Sequence, residues 1–416
     1  MLNIIIYLIS LLPIDSIHYN LNKKIDSIIE FSIKEKAFPG AQIIVLKDGE
    51  KIVNKNYGYH TYDSIIKITG NSIYDLASIT KPTAGAFSLM KLYESNLIDI
   101  NKPLNNYLKF FNNSRVGEVL IKDYLQHISG IRPWIPFHST TKDKYGNFRK
   151  KTLAYKEKRR YKIKLTDSLY LFNNYKKEIY NQIKDTYFID GDTVLYSGLF
   201  FYLIPEIIEK QTNIKFDNYI ENIFSDMTLD SILFNPTKKF NLETIVPTES
   251  DNFFRNFQIH GVVHDEGAAM MDGVSANAGL FSNASNLAKF YQMFLNGGLF
   301  NDKIFLDKNI INLFTQFDNQ NPKFYRGLGF DKPKPEYNVE KCTYSKYSSN
   351  SSFGHSGYTG TFFWVDPKYD LIYVFLSNRV YDSRENRKIY ELNVRTKIHD
   401  LIYEFLLNME QDNSKE

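Results

Sequence analysis

Between Leu21 and Lys36 apolar residues recur at helical spacing (Ile25, Ile28, Ile29, Phe31, Ile33), and the pattern stops before Pro39-Gly40, which predicts an amphipathic helix ending there. Two β-rich runs follow, Ala41–Leu46 and Lys51–Tyr57. They are joined by Lys47-Asp48-Gly49-Glu50, whose Asp-Gly pair supplies the positive φ angles of a tight hairpin turn. A helix is predicted from about Thr80 to Ser95. From Asn105 to about Arg255 the pattern reads as helices joined by polar loops. It then returns to a helix over Leu287–Leu295, strands over Phe362–Val365 and Leu371–Leu376, and a last amphipathic helix over Arg387–Leu407. Helix and hairpin at one end with strands and helix at the other predict an α+β fold. One antiparallel sheet is built from the N- and C-terminal segments, flanked by helices, with an inserted and mostly helical region. The expected organisation is a single domain over 21–410, with its α/β body from 21–104 and 256–410 and the helical insert over 105–255. No internal repeat interrupts it.

Composition narrows the class. The chain has 416 residues, 43% of them apolar and 24% charged, as expected of a folded water-soluble body. The formal charge of +4 is small for this length, and acidic and basic residues interleave rather than gather into a basic stripe, so nothing argues for a nucleic-acid partner. The charged run Lys142–Lys164 reads as a solvated surface insertion rather than a binding patch. The lone Cys342 excludes an intramolecular disulfide and lacks the setting of a catalytic thiol. The apolar stretch Met1–Leu12 is too short to span a bilayer as a helix. It shows neither a basic start nor a small-residue cleavage site before Pro13. Residues 1–20 are therefore expected to be an apolar N-terminal segment, either a degraded signal or a linker, and no stable membrane span is expected.

Candidate chemistry begins at Ser78-Ile79-Thr80-Lys81. A serine hydroxyl becomes a useful nucleophile when a base takes its proton, and a lysine three residues on lies on the same helix face. Spacing alone decides little, because Ser64–Lys67, Ser88–Lys91 and Ser139–Lys142 repeat it. Pro82 separates them. Proline is tolerated in a helix only within the first turn, so Ser78 and Lys81 belong to a helix N-terminus, where unpaired N–H groups favour negative charge. On this evidence Ser78 reads equally as a nucleophile or as an ordinary N-cap serine. His260 and His264, four apart, could share a helix face as metal ligands, but Gly261 follows His260 where a zinc-protease motif needs Glu, and a structural loop is expected. No glycine-rich phosphate loop follows a strand, and no metal or cofactor is expected.

The segment Asp75-Leu76-Ala77-Ser78-Ile79-Thr80-Lys81 resembles the active-site serine motif of penicillin-binding proteins and class C β-lactamases. Gln126-His127-Ile128-Ser129-Gly130-Ile131 resembles that superfamily's "THTSG" loop. Tyr196-Ser197-Gly198 stands where its Y-x-N motif belongs, and His355-Ser356-Gly357 followed by Tyr358-Thr359-Gly360-Thr361 resembles its KTG or HxG element. Together these cover about Asp26 to Phe405. Within the superfamily, Tyr57–Asp63, Gly261–Glu266 and Asn277–Ser282 resemble the serine-hydrolase module that Bacteroidota-type proteins carry behind a glycoside hydrolase family 3 β-N-acetylglucosaminidase module. The glycosidase module is absent from this sequence, so a stand-alone or truncated version is expected.

The resemblance implies a serine hydrolase. Ser78 would form an acyl-enzyme on an amide or ester, Lys81 would take the serine proton, and Tyr196 would pass it to the leaving group. The backbone N–H groups of Ser78 and Tyr358 would hold the oxyanion, Gly357 would let that backbone come close, and His355 would line the site and orient substrate. It implies a small-molecule or peptidoglycan-derived substrate, as for a D-alanyl carboxypeptidase or esterase, in the periplasm or cell envelope, a cytoplasmic location staying open. The departure is Gly198, where the superfamily carries Asn or Asp. A side chain able to bond Lys81 or the substrate amide is missing, which implies doubtful β-lactam turnover or, as the alternative, a catalytically impaired binding module.

Overall fold

The computed structural model describes residues 14–413 apart from 192–193 and 318–324; the expected apolar stretch over 1–13 lies outside them. Helix α1 spans Ile14–Lys34, and strands β1 (Gly40–Lys47) and β2 (Glu50–Gly58) form the predicted hairpin. Helix α2 covers Phe87–Glu94 and helix α3 Ala284–Leu295. Strands β3 (Phe353–Ser356), β4 (Phe362–Asp366) and β5 (Leu371–Ser377) precede helix α4 (Val394–Asn413). The five strands make one antiparallel sheet in the order β3-β4-β5-β1-β2, so the chain's first hairpin is zipped to its last strand, with Ile43 opposite Phe375 and Val45 opposite Tyr373.

Both faces of the sheet are covered. Successive side chains of a strand point to opposite faces. Ile43, Val45, Tyr373 and Phe375 enter a core shared with α1 and α4, whereas Ile44, Leu46, Val374 and Leu376 enter a larger one shared with α3. In that larger core Tyr291 stacks on Phe363 at 3.8 Å between ring centroids, and the same apolar cluster continues through Phe111, Tyr124, Phe200 and Phe224 of the inserted region. The α+β class and the sheet built from both ends of the chain are as expected.

Four details differ from the expectation. The N-terminal helix starts at Ile14 rather than Leu21. The helix expected over 80–95 begins as a tight turn at Ala77–Ile79 and a widened turn over Lys81–Ala86, becoming α-helical only at Phe87. Pro82 has no N–H to donate there, and Gly85 lets the turn press against Ala276 and Phe201. The C-terminal helix is broken: a short helix over Lys388–Glu391 ends at Asn393, whose φ of +52° is left-handed, before α4 begins. The insert is not only helical. Leu153–Ala154, Tyr161–Thr166 and Leu169–Phe172 form a three-stranded sheet, because Ile163 and Leu165 turn inward while Lys162 and Lys164 turn to water.

Candidate active site

Ser78 and Lys81 sit where the turn leaving the larger core meets the end of β3. Lys81 Nζ lies 3.0 Å from Ser78 Oγ and donates to the Asn277 carbonyl at 2.9 Å. The lysine is buried and the serine is partly open to a cavity of about 390 Å³ that Tyr196, His355, Gly357 and Tyr358 also line. Every residue expected at the site therefore reaches this one neighbourhood. The other Ser-x-x-Lys pairs are absent from it.

A shared backbone edge holds the serine in place. Ala77, immediately before it, has a φ of +48°, which costs a non-glycine residue about 1 kcal/mol or more. The buried carboxylate of Asp75 supports that turn, accepting from Ala77 N at 2.8 Å and from His264 N at 2.7 Å. Burial raises the Asp75 pKa above the usual carboxylate value, and these two donors oppose the rise. From the other side Thr359 Oγ1 donates to Asp75 O (2.8 Å) and Thr361 Oγ1 to Leu76 O (3.1 Å). A Cβ on Gly357 would come within 2.5 Å of Leu76 O and 2.0 Å of Thr361 Oγ1, so only glycine lets the two strands of the site approach this closely.

Tyr196 is 41% exposed, and its ring centroid lies 5.4 Å from Lys81 Nζ and 4.6 Å from the ring of His127. The segment carrying it is held by the loop that resembled "THTSG": Leu195 N donates to His127 O (2.8 Å), Ser197 N to His127 Nδ1 (3.2 Å) and Gly198 N to Pro133 O (3.2 Å). Gly198 faces Lys81 directly, with a Cβ built there 3.9 Å from the amine. His355 is buried, with Nδ1 against Ser356 O at 2.8 Å and Nε2 without a partner among the described residues, beside the cavity. Burial lowers its pKa to about 4; Asp331 opposes this, while Arg326 and Lys81 add to it, so the ring is neutral near pH 7.

Sequence reasoning missed the opposite wall. Arg326, Asp331 and Lys332 line the cavity from the segment after residue 324. Arg326 is buried and ion-paired through Nη1 with Asp331, while its Nε and Nη2 have no hydrogen-bond partner among the described residues. Burial lowers the Lys332 pKa to about 8, with Asp366 opposing, and its Nζ donates to Ser351 O at 3.1 Å. With Lys334 and Lys341 also lining this wall and Asp331 as its one carboxylate, the balance is cationic and suits a substrate with an anionic group. The two histidines weighed as metal ligands do not converge. His260 Nε2 faces the carbonyls of Leu242 and Ile245, His264 Nε2 faces Glu249 Oε2 at 2.7 Å, and both residues lie in a loop.

Comparison with known proteins places the chain in a family. Residues 25–396 match the Beta-lactamase family. The chain is 30% identical over 402 residues to the N-acetylmuramyl-L-alanine amidase of Bacillus subtilis (strain 168), covering 89% of this chain and 84% of that protein. It is 31% identical over 385 residues to a Salmonella heidelberg (strain SL476) protein assigned by name to the D-alanyl-D-alanine carboxypeptidases, covering 85% of this chain and 82% of that one. Two solved structures share the fold. A class C β-lactamase from Rhodobacter sphaeroides has 14% identity and a TM-score of 0.64 over 92% of this chain and 99% of its own. A penicillin-binding protein homologue from Pyrococcus abyssi has 19% identity and a TM-score of 0.63 over 89% and 76%. The chain belongs to the Beta-lactamase family, within the superfamily of β-lactamases and penicillin-binding proteins.

Proposed function

We propose that this protein is a serine acyl hydrolase that cuts an amide bond in peptidoglycan-derived material. The observation that carries the reading is the 3.0 Å contact between Ser78 Oγ and Lys81 Nζ at an open cavity whose facing edge is Gly357-Tyr358. Ser78 Oγ attacks the carbonyl carbon while Lys81 takes the hydroxyl proton. The carbonyl oxygen becomes an oxyanion beside the N–H groups of Ser78 and Tyr358. Tyr196 passes a proton to the departing amine, the C–N bond breaks, and an ester to Ser78 remains. Water, deprotonated by the same groups, then attacks that ester and frees the acid and the serine. No metal or cofactor enters these steps.

Peptidoglycan is favoured over other amides by three features. The named relatives are an amidase and a carboxypeptidase, the wall at Arg326 and Lys332 is cationic, and three segments resemble the module found behind β-N-acetylglucosaminidases. Such a substrate would place the protein in the periplasm or cell envelope. The body and the insert act as one domain over 21–410, since they share a core. A second reading, an impaired peptidoglycan-binding module, rests on Gly198, since among the described residues the hydrogen bonds of Lys81 run to Ser78 and a backbone carbonyl and no side-chain amide joins them.

Incubation of the full chain with a fluorescent penicillin or fluorophosphonate, and separately with a purified muropeptide, distinguishes these. Covalent label and product formation that both vanish in Ser78→Ala support hydrolysis. Free D-alanine among the products marks a carboxypeptidase, and a newly exposed L-alanine N-terminus marks an amidase. Muropeptide binding with neither label nor product establishes the binding module instead.

A further inference from the structure

The charge of the chain is concentrated in one place. Lys142–Lys164 holds eleven Lys and Arg against Asp143 and Glu157, a formal +9 in a chain whose total is +4. All eleven are exposed. Among the described residues only Lys164 has a carboxylate within ion-pair reach, Asp167 at 2.7 Å; the other ten stand without one. The small sheet of the insert holds them: Ile163 and Leu165 anchor it to the core while Lys162 and Lys164 project outward, and the strand carrying them is a sheet edge. Ordinary solubility does not call for this density, because the rest of the chain carries a net −5 and is already far from neutral.

The cations also border a concavity. Arg149, Lys150 and Lys151 on one side and Lys177 on the other line a cleft of about 640 Å³, with Asn181 and Gln182 between them and Glu178 as its one acidic residue. This cleft lies apart from the Ser78 cavity and shares no residue with it. Four cations match repeated anions, and side-chain amides match hydroxyl groups, which donate and accept together. A flat lipid surface would leave a concave site unfilled, and of the two aromatic residues that line it Tyr175 is buried and Phe172 half-buried, so it lacks the open aromatic platform on which bases stack.

We propose that the cleft bordered by Arg149, Lys150, Lys151 and Lys177 binds a linear, hydroxyl-rich polyanion, an acidic glycan or polyol phosphate, and tethers the enzyme to it independently of catalysis. The shared chemistry is one phosphodiester or carboxylate per repeat. Binding releases condensed counterions, so affinity falls as salt rises.

The test is titration of the full chain with poly(glycerol phosphate) and with polygalacturonate at low and at physiological salt. Single-stranded DNA and phosphatidylglycerol vesicles are run beside them. Expected is salt-dependent binding of at least one polymer, weakened at least about tenfold in the Lys150→Glu/Lys151→Glu variant and also in Lys177→Glu, with acylation by fluorescent penicillin unchanged. Preference for the first polymer identifies phosphodiesters as the ligand, and preference for the second identifies carboxylates. The proposal is overturned by absence of binding to both polymers at low salt, by wild-type affinity in both variants, or by tighter binding of DNA or vesicles than of either polymer. Because the readout is polymer binding, its failure leaves the hydrolase reading standing, and loss of acylation in Ser78→Ala leaves the cleft untouched.

Discussion

Gly198→Asn adds the one side chain by which this site departs from its superfamily. The space for it exists: a Cβ at residue 198 lies 3.8 Å from Lys81 Cε and 3.9 Å from Lys81 Nζ, ordinary contact distances, and no other described atom comes within 4 Å. The backbone there is outside the left-handed region, so the substitution carries no conformational strain. An amide oxygen beyond that Cβ can accept from the Lys81 amine. A hydrogen bond to a charged group contributes about 1.5–3 kcal/mol. Were all of it expressed in the acylation transition state, the rate would rise about tenfold to a hundredfold. The Asn277 carbonyl already holds the amine at 2.9 Å, so the gain expected is the lower end, about tenfold. The assay is the second-order rate of labelling by a fluorescent penicillin, with Gly198→Ala as control. Alanine adds the Cβ without the amide, and both variants should gain roughly 0.4–1 kcal/mol of stability from the less flexible unfolded chain. Equal acylation rates in the Asn and Ala variants, with both folded, would refute the idea that the missing amide limits this enzyme.

Three other perturbations test the buried charges and the core. His355 and His399 are buried, and burial lowers their pKa values to about 4 and about 3. Each remains neutral in the folded protein while the unfolded chain protonates near pH 6.5, so stability present above that pH is lost as pH falls through it. Urea unfolding at pH 5 should show a loss of about 2 kcal/mol per histidine relative to pH 7, and His399→Phe should remove its share of that slope. Glu249 accepts from His264 and from Arg384 Nε and Nη2 at 2.7–2.8 Å; burial opposes its ionisation, but these donors hold the carboxyl at about 2. Its contribution is present above pH 4.5 and is lost between there and pH 2. Glu249→Gln removes the carboxylate that faces His264 and one of the carboxylates around Arg384, whose Nη2 keeps Glu266 at 2.9 Å, so it should cost about 1–3 kcal/mol at pH 7 and flatten acid unfolding monitored by circular dichroism over that window. Trp364→Ala empties a site stacked on Tyr344 at 4.7 Å and should cost about 3–5 kcal/mol, read as a fall in the urea midpoint.

Legibility in this chain followed the range of the interaction that each feature depends on. The β1–β2 hairpin was readable because Asp48 and Gly49, both at positive φ, announce their turn locally. Strands β4 and β5 were readable because burial on both faces demands the unbroken apolar runs Phe362–Val365 and Leu371–Leu376. Strand β3 was not, since Phe-Gly-His-Ser carries one large apolar residue and is a strand only through its ladder with β4. The sheet inside the insert was hidden by its own surface: in Tyr161–Thr166 the lysines that face water masked the alternation of Ile163 and Leu165. At the site, Ser78 and Lys81 lie three residues apart and so needed no knowledge of the fold to be paired. Arg326 has no such local signature among 51 basic residues, and the carbonyl of Asn277 has none by nature, because every residue carries one. Gly357 falls between these cases. Its neighbours in sequence mark a turn, but what forbids a side chain there is Leu76 O, 281 positions earlier, 2.5 Å from where a Cβ would stand. That steric demand joins the two ends of the chain at the nucleophile, so Gly357→Ala should separate them: the serine turn must move, and labelling of Ser78 should fall before the fold is lost.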